Sequence, residues 1–255
     1  MGLNNIETIR ALDSAMKKYN IEYSECDMGE LGNCLMWPHE VCWGDEYKKI
    51  KLLNLTNKRY VAKEYFNTIK KVKSHTSMDI NGKNGAVKID LRKPIEGLTF
   101  DVITNFGTTE HVESSWPKDQ YMAFKNIHDM CKVGGIMFHQ VPKANNWQGK
   151  AAGLRADHCP YYYYEEFFEK LARLNKYEIF LNTSWNHDIG TRIGESWSSI
   201  LDPSSKRARY ECASILIKTS DNNFCSMDEF KTLKIQKPSD INYSETSTSY
   251  SYRKF

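Results

Sequence analysis

Side chains able to do chemistry gather at a few points along this chain, each at or near the end of a short strand-like run. Asp79 falls within His75–Ile80, Asp90 closes Ala86–Asp90, Asn105 to His111 follows from Phe100–Asn105, and His139 to Pro142 ends Ile136–Val141. A carboxylate in such a place can accept hydrogen bonds from both hydroxyls of a diol. A histidine can take up a proton near neutral pH, and His111, His139 and His158 are the candidates for that role. Glu110 stands beside His111, and Thr108 and Thr109 add hydroxyls. Each group also has a plain structural role open to it. Asp79 could cap the turn at Asn81-Gly82, Asp90 could pair with Arg92, and Glu110 could charge or cap a loop. The histidines could be held by backbone groups in the core.

The elements that must position these groups follow from periodicity. Ile6, Ile9, Leu12 and Met16 have helical spacing, with Lys17 and Lys18 at the far end, so Asn4 to Tyr19 reads as a helix. Leu31 to Trp43 is irregular and reads as loop. Thr56 has the character of an N-cap for an amphipathic helix carrying Tyr60, Val61, Tyr65, Phe66 and Ile69. The period then shortens. His75–Ile80, Ala86–Asp90, Phe100–Asn105 and Ile136–Val141 read as strands, with a helix over Gln120–Cys131 and a turn at Gly134-Gly135. Tyr161–Leu174 reads as another helix, Tyr177–Leu181 as a strand and Cys212–Lys218 as a strongly apolar strand, whereas Glu22–Met28 is a poor strand. Strands alternating with helices predict an α/β sheet with helices on its faces. Ligands of such sheets bind beyond the carboxyl ends of the strands, where the strand order switches, which is where the groups above gather.

Composition narrows the field. The 255 residues are 40% hydrophobic and 26% charged, which excludes collagen-like, coiled-coil and wholly disordered chains. A net charge of +3 from 35 basic and 32 acidic residues is too balanced to argue for nucleic acid as the partner by charge alone. No apolar run reaches the ~18 residues of a membrane helix, and the first residues carry no apolar leader core. The seven cysteines are scattered, with no C-x-x-C pair, which predicts reduced thiols in a cytoplasmic protein rather than a disulfide framework or zinc ribbon. The expected organisation is one domain over residues 1–238. Within it lie an N-terminal helix (1–20) and a loop insertion (35–55), and a flexible tail rich in Ser, Thr and Tyr follows (239–255).

The run Phe100-Asp101-Val102-Ile103-Thr104-Asn105, then Glu110-His111, a helix, and Lys132-Val133-Gly134-Gly135-Ile136-Met137 resembles the second half of a class I S-adenosylmethionine-dependent methyltransferase. The resemblance covers about residues 25 to 220, and its core is 74 to 142. It implies a Rossmann-like methyltransferase sheet, mostly parallel with helices on both faces, and S-adenosyl-L-methionine as cofactor. It also implies that Asp79 holds the ribose hydroxyls with Ile80 beside it, and that Asp90 and Leu91 lie by the adenine. Asn105, Phe106, Gly107 and Glu110 complete the cofactor-binding set after the fourth strand. The family's glycine-rich first motif is represented only by Glu30-Leu31-Gly32-Asn33-Cys34, a divergent form in which Gly32 allows backbone approach and Glu30 offers a carboxylate to the sulfonium. The stretch from Gly32 to Asp79 is more than twice the about 20 residues usual in nucleotide-binding βαβ units.

The activity implied is methyl transfer to an oxygen or nitrogen of a small molecule or glycan, with His111, His139 or His158 as the base. Methylation of nucleic-acid bases fits less well, because Asn105 is followed by Phe106-Gly107 and not by an Asn-Pro-Pro-Tyr type motif. Two other classes stay open: a degenerate methyltransferase fold used as a scaffold or binding subunit, and a metal-dependent, His-rich hydrolase. The histidine spacing carries no metal-motif signature. Trp37, Trp43 and Trp147 are candidates to stack on a flat substrate, and rings of the run Tyr161 to Tyr164 could face one, with packing as the alternative for all of them. The clusters Lys48, Lys49, Lys51 and Lys206, Arg207, Arg209 read as solvated surface.

Overall fold

The computed structural model describes residues 2–3, 6–36, 48, 60–112, 115–144, 159–188 and 208–237. In chain order its elements begin with strand β1 (Gly2–Leu3), helix α1 (Ile6–Lys18), β2 (Asp27–Leu31), β3 (Leu35–Met36), β4 (Tyr60–Val61) and α2 (Ala62–Tyr65), which runs on as a π-turn over Phe66–Lys70. Next come β5 (Ser74–Asp79), β6 (Val87–Lys88), β7 (Phe100–Phe106), α3 (Lys118–Met130) and β8 (Cys131–Pro142). The chain continues through β9 (Tyr162–Tyr163), α4 (Glu165–Asn175), β10 (Glu178–Asp188), β11 (Ala208–Ile217), α5 (Met227–Phe230) and β12 (Ile235–Gln236).

Seven strands form the main sheet in the order β10-β11-β8-β7-β2-β5-β6. β6, β5, β2, β7 and β8 run parallel, and β11 is antiparallel to both of its neighbours. The chain enters this sheet at β2, near the middle, and moves outward to β5 and β6. It then crosses back to β7 on the other side of β2. That reversal opens a crevice at the carboxyl ends of β2 and β7.

Because both faces are covered, successive residues of a strand enter different cores. Met28, Val102, Ile136, Phe138, Ala213 and Ile215 pack with Ile9, Leu12 and Met16 of α1 and with Tyr65 and Phe66. Leu31, Ile103, Met137, Val141 and Leu216 pack with Phe124 of α3 and with Phe167, Phe168 and Leu171 of α4. The fold class expected from the sequence, a mostly parallel Rossmann-like sheet with helices on both faces, is the one observed.

The largest departure from the sequence reading is β2. The stretch read as a poor strand ends in the strand that pairs with both β5 and β7. Its charges conceal it. Asp27 is tied down by Lys73 at 2.9 Å and Ser74 at 2.8 Å, while Gly29 lies under the Phe100 ring, where a Cβ would come within 2.6 Å of it. The tyrosine run also differs. Tyr162 and Tyr163 form a strand paired with Ile235 and Gln236, and helix α4 starts only at Glu165. Tyr163 is buried and its hydroxyl donates to Gln120 Oε1 at 2.7 Å, a contact made across the fold and therefore invisible in local periodicity.

β3 and β4 pair antiparallel, Leu35 with Val61 and Met36 with Tyr60, so the chain departs and returns at neighbouring positions around the expected insertion. Residues 37–47 and 49–59 lie outside the described residues, as do Trp37, Trp43, Trp147, the Lys206 to Arg209 side chains and the tail from 238 onward. Among the described residues, no helix is long and apolar enough to cross a membrane. The described cysteines, Cys26, Cys34, Cys131, Cys159, Cys212 and Cys225, are buried free thiols.

Candidate functional site

A cavity of about 450 Å³ lies at the carboxyl ends of β2, β5, β6 and β7, in the crevice where the strand order reverses. Nine residues singled out from the sequence line it: Gly32, Asp79, Ile80, Asp90, Leu91, Phe106, Gly107, Thr108 and His111. Asn33, Cys34, Met78, Ile89, Arg92 and Val112 also line it. Each of these additional residues sits next to, or within a few positions of, an expected one, so widening the strand-end rule would have found them.

The wall after β2 is made of backbone. Gly32 has φ +76°, donates its N–H to the Met78 carbonyl at 2.7 Å, and faces Thr108, whose hydroxyl donates to the Leu31 carbonyl at 2.7 Å. A Cβ at Gly32 would overlap Thr108 Oγ1. Positive φ and close approach together explain why glycine stands here.

Asp79 is half-buried, and its two oxygens are held apart by different loops. Oδ1 accepts from the Asn81 N–H at 2.9 Å and Oδ2 from the Asn33 N–H at 3.2 Å. The turn-capping role and the pocket position therefore coexist in one side chain. Asp90 and Arg92 form a bidentate pair, with Nε to Oδ1 at 2.8 Å and Nη2 to Oδ2 at 2.9 Å. The hydrogen bonds from Arg92 hold the Asp90 carboxyl down at about 2. Beside these polar groups Ile80 is 60% exposed and Leu91 nearly buried, so the cavity has apolar walls as well as acceptors.

Four residues expected in the site are not among those lining the cavity. Glu30 is buried in β2, where it accepts from the Cys34 N–H at 2.8 Å and the Ser77 hydroxyl at 3.3 Å, with His75 Nε2 at 3.4 Å. It acts on the loop that shapes the cavity rather than on the cavity's contents. Asn105 is buried and shares a strand face with Ile103, turned toward α3 and α4. Its Oδ1 accepts from the Thr109 N–H at 3.1 Å, which leaves Nδ2 to donate to Thr109 Oγ1 at 2.8 Å and to His139 Nδ1 at 3.1 Å. That bond assigns the His139 proton to Nε2. His139 shares its strand face with Met137 and Val141 and packs on Phe124 and Phe168. Burial pushes its imidazole down to about 3, so at neutral pH it is a neutral core side chain.

Glu110 is the fourth. It has no exposed surface, and neither carboxyl oxygen has a hydrogen-bond partner. Burial pushes this carboxyl up to about 8. His111 Nε2 lies 3.7 Å from Glu110 Oε1, and the His111 side chain is 42% exposed. His158, the remaining expected base, lies outside the described residues. Among the described residues, no group of three or more His, Cys, Asp or Glu side chains is arranged to hold a metal ion.

No protein-family model matches this chain, and no curated protein matches it. Solved structures do resemble it in chain path. The N-methyltransferase NodS of Bradyrhizobium japonicum, in complex with S-adenosyl-L-homocysteine, is similar at 11% identity and a TM-score of 0.46, over 84% of this chain and 86% of that one. A SAM-dependent methyltransferase from Archaeoglobus fulgidus is similar at 10% identity and a TM-score of 0.47, over 82% and 94%. The 1,6-didemethyltoxoflavin-N1-methyltransferase of Burkholderia thailandensis, with bound 1,6-didemethyltoxoflavin and S-adenosylhomocysteine, is similar at 10% identity and a TM-score of 0.43, over 84% and 78%.

Proposed function

We propose that this protein is an S-adenosylmethionine-dependent methyltransferase acting on an oxygen or nitrogen of a small molecule or glycan. The observation that carries the reading is Asp79, a carboxylate oriented by two backbone N–H groups beside a cavity at the switch of strand order. The surroundings fit the cofactor. Gly32, without a Cβ, lets Thr108 close against the loop after β2 at the cavity wall, and Ile80 and Leu91 offer apolar surface for a purine.

In this reading Asp79 accepts the ribose hydroxyls, and Ile80, Leu91 and the Asp90–Arg92 pair flank the adenine. Gly32, Phe106 and Gly107 border the amino-acid end, with Glu30 and Asn105 bracing that wall from beneath. Bound there, S-adenosylmethionine would supply an electrophilic methyl group on a sulfonium. The protein's own contribution is positioning, exclusion of water and removal of the acceptor's proton. His111 is the candidate base because it lines the cavity. The reading includes one domain over 1–238 with a separate tail, and a cytoplasmic location.

The test is calorimetric titration of the protein with S-adenosylmethionine and S-adenosylhomocysteine, repeated on Asp79→Ala. Micromolar binding is expected, weakened in the variant by about 1–3 kcal/mol for the loss of charged hydrogen bonds. A folded wild-type protein that binds neither compound would overturn the reading in favour of a scaffold role.

A further inference from the structure

Three successive N–H groups of the loop after β2 are taken up inside the protein. Gly32 donates to the Met78 carbonyl at 2.7 Å, Asn33 to Asp79 Oδ2 at 3.2 Å and Cys34 to Glu30 Oε1 at 2.8 Å. All three residues line the cavity. The loop is thus shaped by partners in β2 and β5 rather than by repeated glycines, and two of those partners are carboxylates. Asp79 stands at the cavity itself, whereas the Glu30 side chain is only 1% exposed. A carboxylate in the interior needs donors or a counter-charge around it. At Oε2 the group that meets it is His75 Nε2, 3.4 Å away on a side chain with no exposed surface.

Packing alone does not account for His75. Its ring stacks on Phe66, with centroids 5.5 Å apart and 17° between the planes. A phenylalanine would make the same stack and bring no polar atoms into the interior. His75 instead leaves both ring nitrogens without a hydrogen bond, and a buried group of that kind calls for a reason. The reason lies in what the ring faces. His75, Ser77 and Asp79 hold alternate positions of β5 and so share one face of it. β5 runs beside β2 with His75 opposite Met28 and Ser77 opposite Glu30. From that single face the Ser77 hydroxyl donates to Glu30 Oε1 at 3.3 Å, His75 approaches Oε2, and Asp79 holds Asn33.

We propose that His75 is a positioning residue for the cavity: it fixes the Glu30 carboxylate, and Glu30 holds the Cys34 N–H and with it the loop wall against which the ligand packs. The inference goes beyond the methyltransferase reading and rests on it only for the identity of that ligand. His75 is not among the residues lining the cavity and acts through Glu30. A loop fastened in this way is complete before the ligand arrives, so binding does not have to order it. Replacing one member of a buried polar pair by an apolar ring of the same shape removes the link without opening a cavity. Stability and ligand binding therefore separate at this position.

The experiment joins NMR hydrogen exchange to calorimetry on the full chain. Labelling the seven cysteines with heavy nitrogen gives one amide signal each, and Cys34 is assigned by its loss in Cys34→Ser. His75→Phe keeps the stack on Phe66 and removes the donor. In it the Cys34 amide is expected to exchange at least about tenfold faster, and S-adenosylhomocysteine to bind at least about tenfold more weakly, the scale of one charged hydrogen bond. Its Tm should stay within about 3 °C of wild type. His75→Gln, whose amide can donate to the same oxygen, should restore both readouts. Wild-type exchange in folded His75→Phe, faster exchange with unchanged affinity, or a loss that His75→Gln does not rescue would each overturn the role and leave His75 a packing residue. Should His75→Phe fail to fold, Glu30→Gln decides in its place, since it keeps the oxygen facing Cys34 and removes the charge that His75 meets. Unchanged Cys34 exchange there overturns the pair. The exchange readout needs no ligand. A wild type that binds no S-adenosylhomocysteine therefore sinks the cofactor reading without touching the pair, and unchanged exchange removes the pair without touching the cofactor reading.

Discussion

The carboxyl edge of the sheet has two halves built on opposite terms. Over β2, β5 and β6 the carboxylates that line the cavity are partly open and satisfied: Asp79 by two backbone N–H groups, Asp90 by Arg92. Over β7, β8 and β11 three ionisable groups are enclosed: Glu110 is left without a hydrogen-bond partner, while His139 and Glu211 are buried with neutral amides as partners. The chain leaves β2 toward β5 and returns to β7 on the other side of β2, and the cavity beside Asp79 lies at that switch. A polar residue at a strand end is thus a binding group or a stored cost depending on what covers it.

The sharpest way to break this comparison is Asn105→Ala in the enclosed half. It strips partners from His139 Nδ1 and the Thr109 N–H, both buried. At about 1–3 kcal/mol for each group left unsatisfied, denaturant unfolding should show a loss of roughly 2–5 kcal/mol. A loss below about 1 kcal/mol would mean that this half relaxes as easily as the open one.

Gly32→Ala probes the open half. The added Cβ meets Thr108 Oγ1 at a backbone φ of +76°, a strain of about 1–3 kcal/mol. It is expected to weaken S-adenosylhomocysteine binding at least about tenfold, the equivalent of about 1.4 kcal/mol, in calorimetry. Unchanged affinity in a folded variant would remove this loop from the site.

A pH-dependent difference separates Glu110→Gln from wild type. Unfolded, the Glu110 carboxyl releases its proton near 4.5; folded, it keeps it to about 8. Its favourable contribution is therefore complete below the unfolded value and lost as pH rises through the folded one. The Tm advantage of Glu110→Gln should grow between pH 5 and pH 9, by roughly 2–4 °C for each 1 kcal/mol. His139 has the opposite sign. Its pKa falls from 6.5 unfolded to about 3 folded, so its contribution is present above the former and lost as pH falls through the latter. The acid limb of the stability curve should persist in Glu110→Gln, and the alkaline limb should flatten.

The smallest effect is expected of Arg92→Ala. The Asp90–Arg92 pair is partly exposed, so removing it should cost no more than about 1 kcal/mol, less in high salt. Thermal unfolding in low and high salt checks this. A loss comparable to that of Asn105→Ala would erase the distinction between the halves.

Legibility followed the same division. α1, β7, α3, β8 and β11 could be read from periodicity because their apolar residues recur at the spacing of their own element. β2 could not, since Asp27, Gly29 and Glu30 are justified only by Lys73, Phe100 and the Cys34 N–H, groups distant in sequence or beyond the strand's own end. In the site, Asp79, Ile80, Asp90, Leu91 and the Phe106-Gly107 turn were accessible from the strand-end rule. The same rule put Asn105 and His139 beside them without saying which face they take. In a sheet covered on both sides, alternation alone does not tell a core from a cavity.

Taken alone, the chain determined an α/β sheet, the ends of most of its strands, and the polar residues that had to stand there. Those features depend on neighbours within one or two turns of chain, which a sequence displays directly. Only the tertiary structure decided that β2 lies between β5 and β7, that Asp79 opens to a cavity, and that Glu110 is sealed behind His111. Burial and charge depend on groups brought together from distant parts of the chain, and a carboxylate's character is settled by whether water or packed side chains surround it.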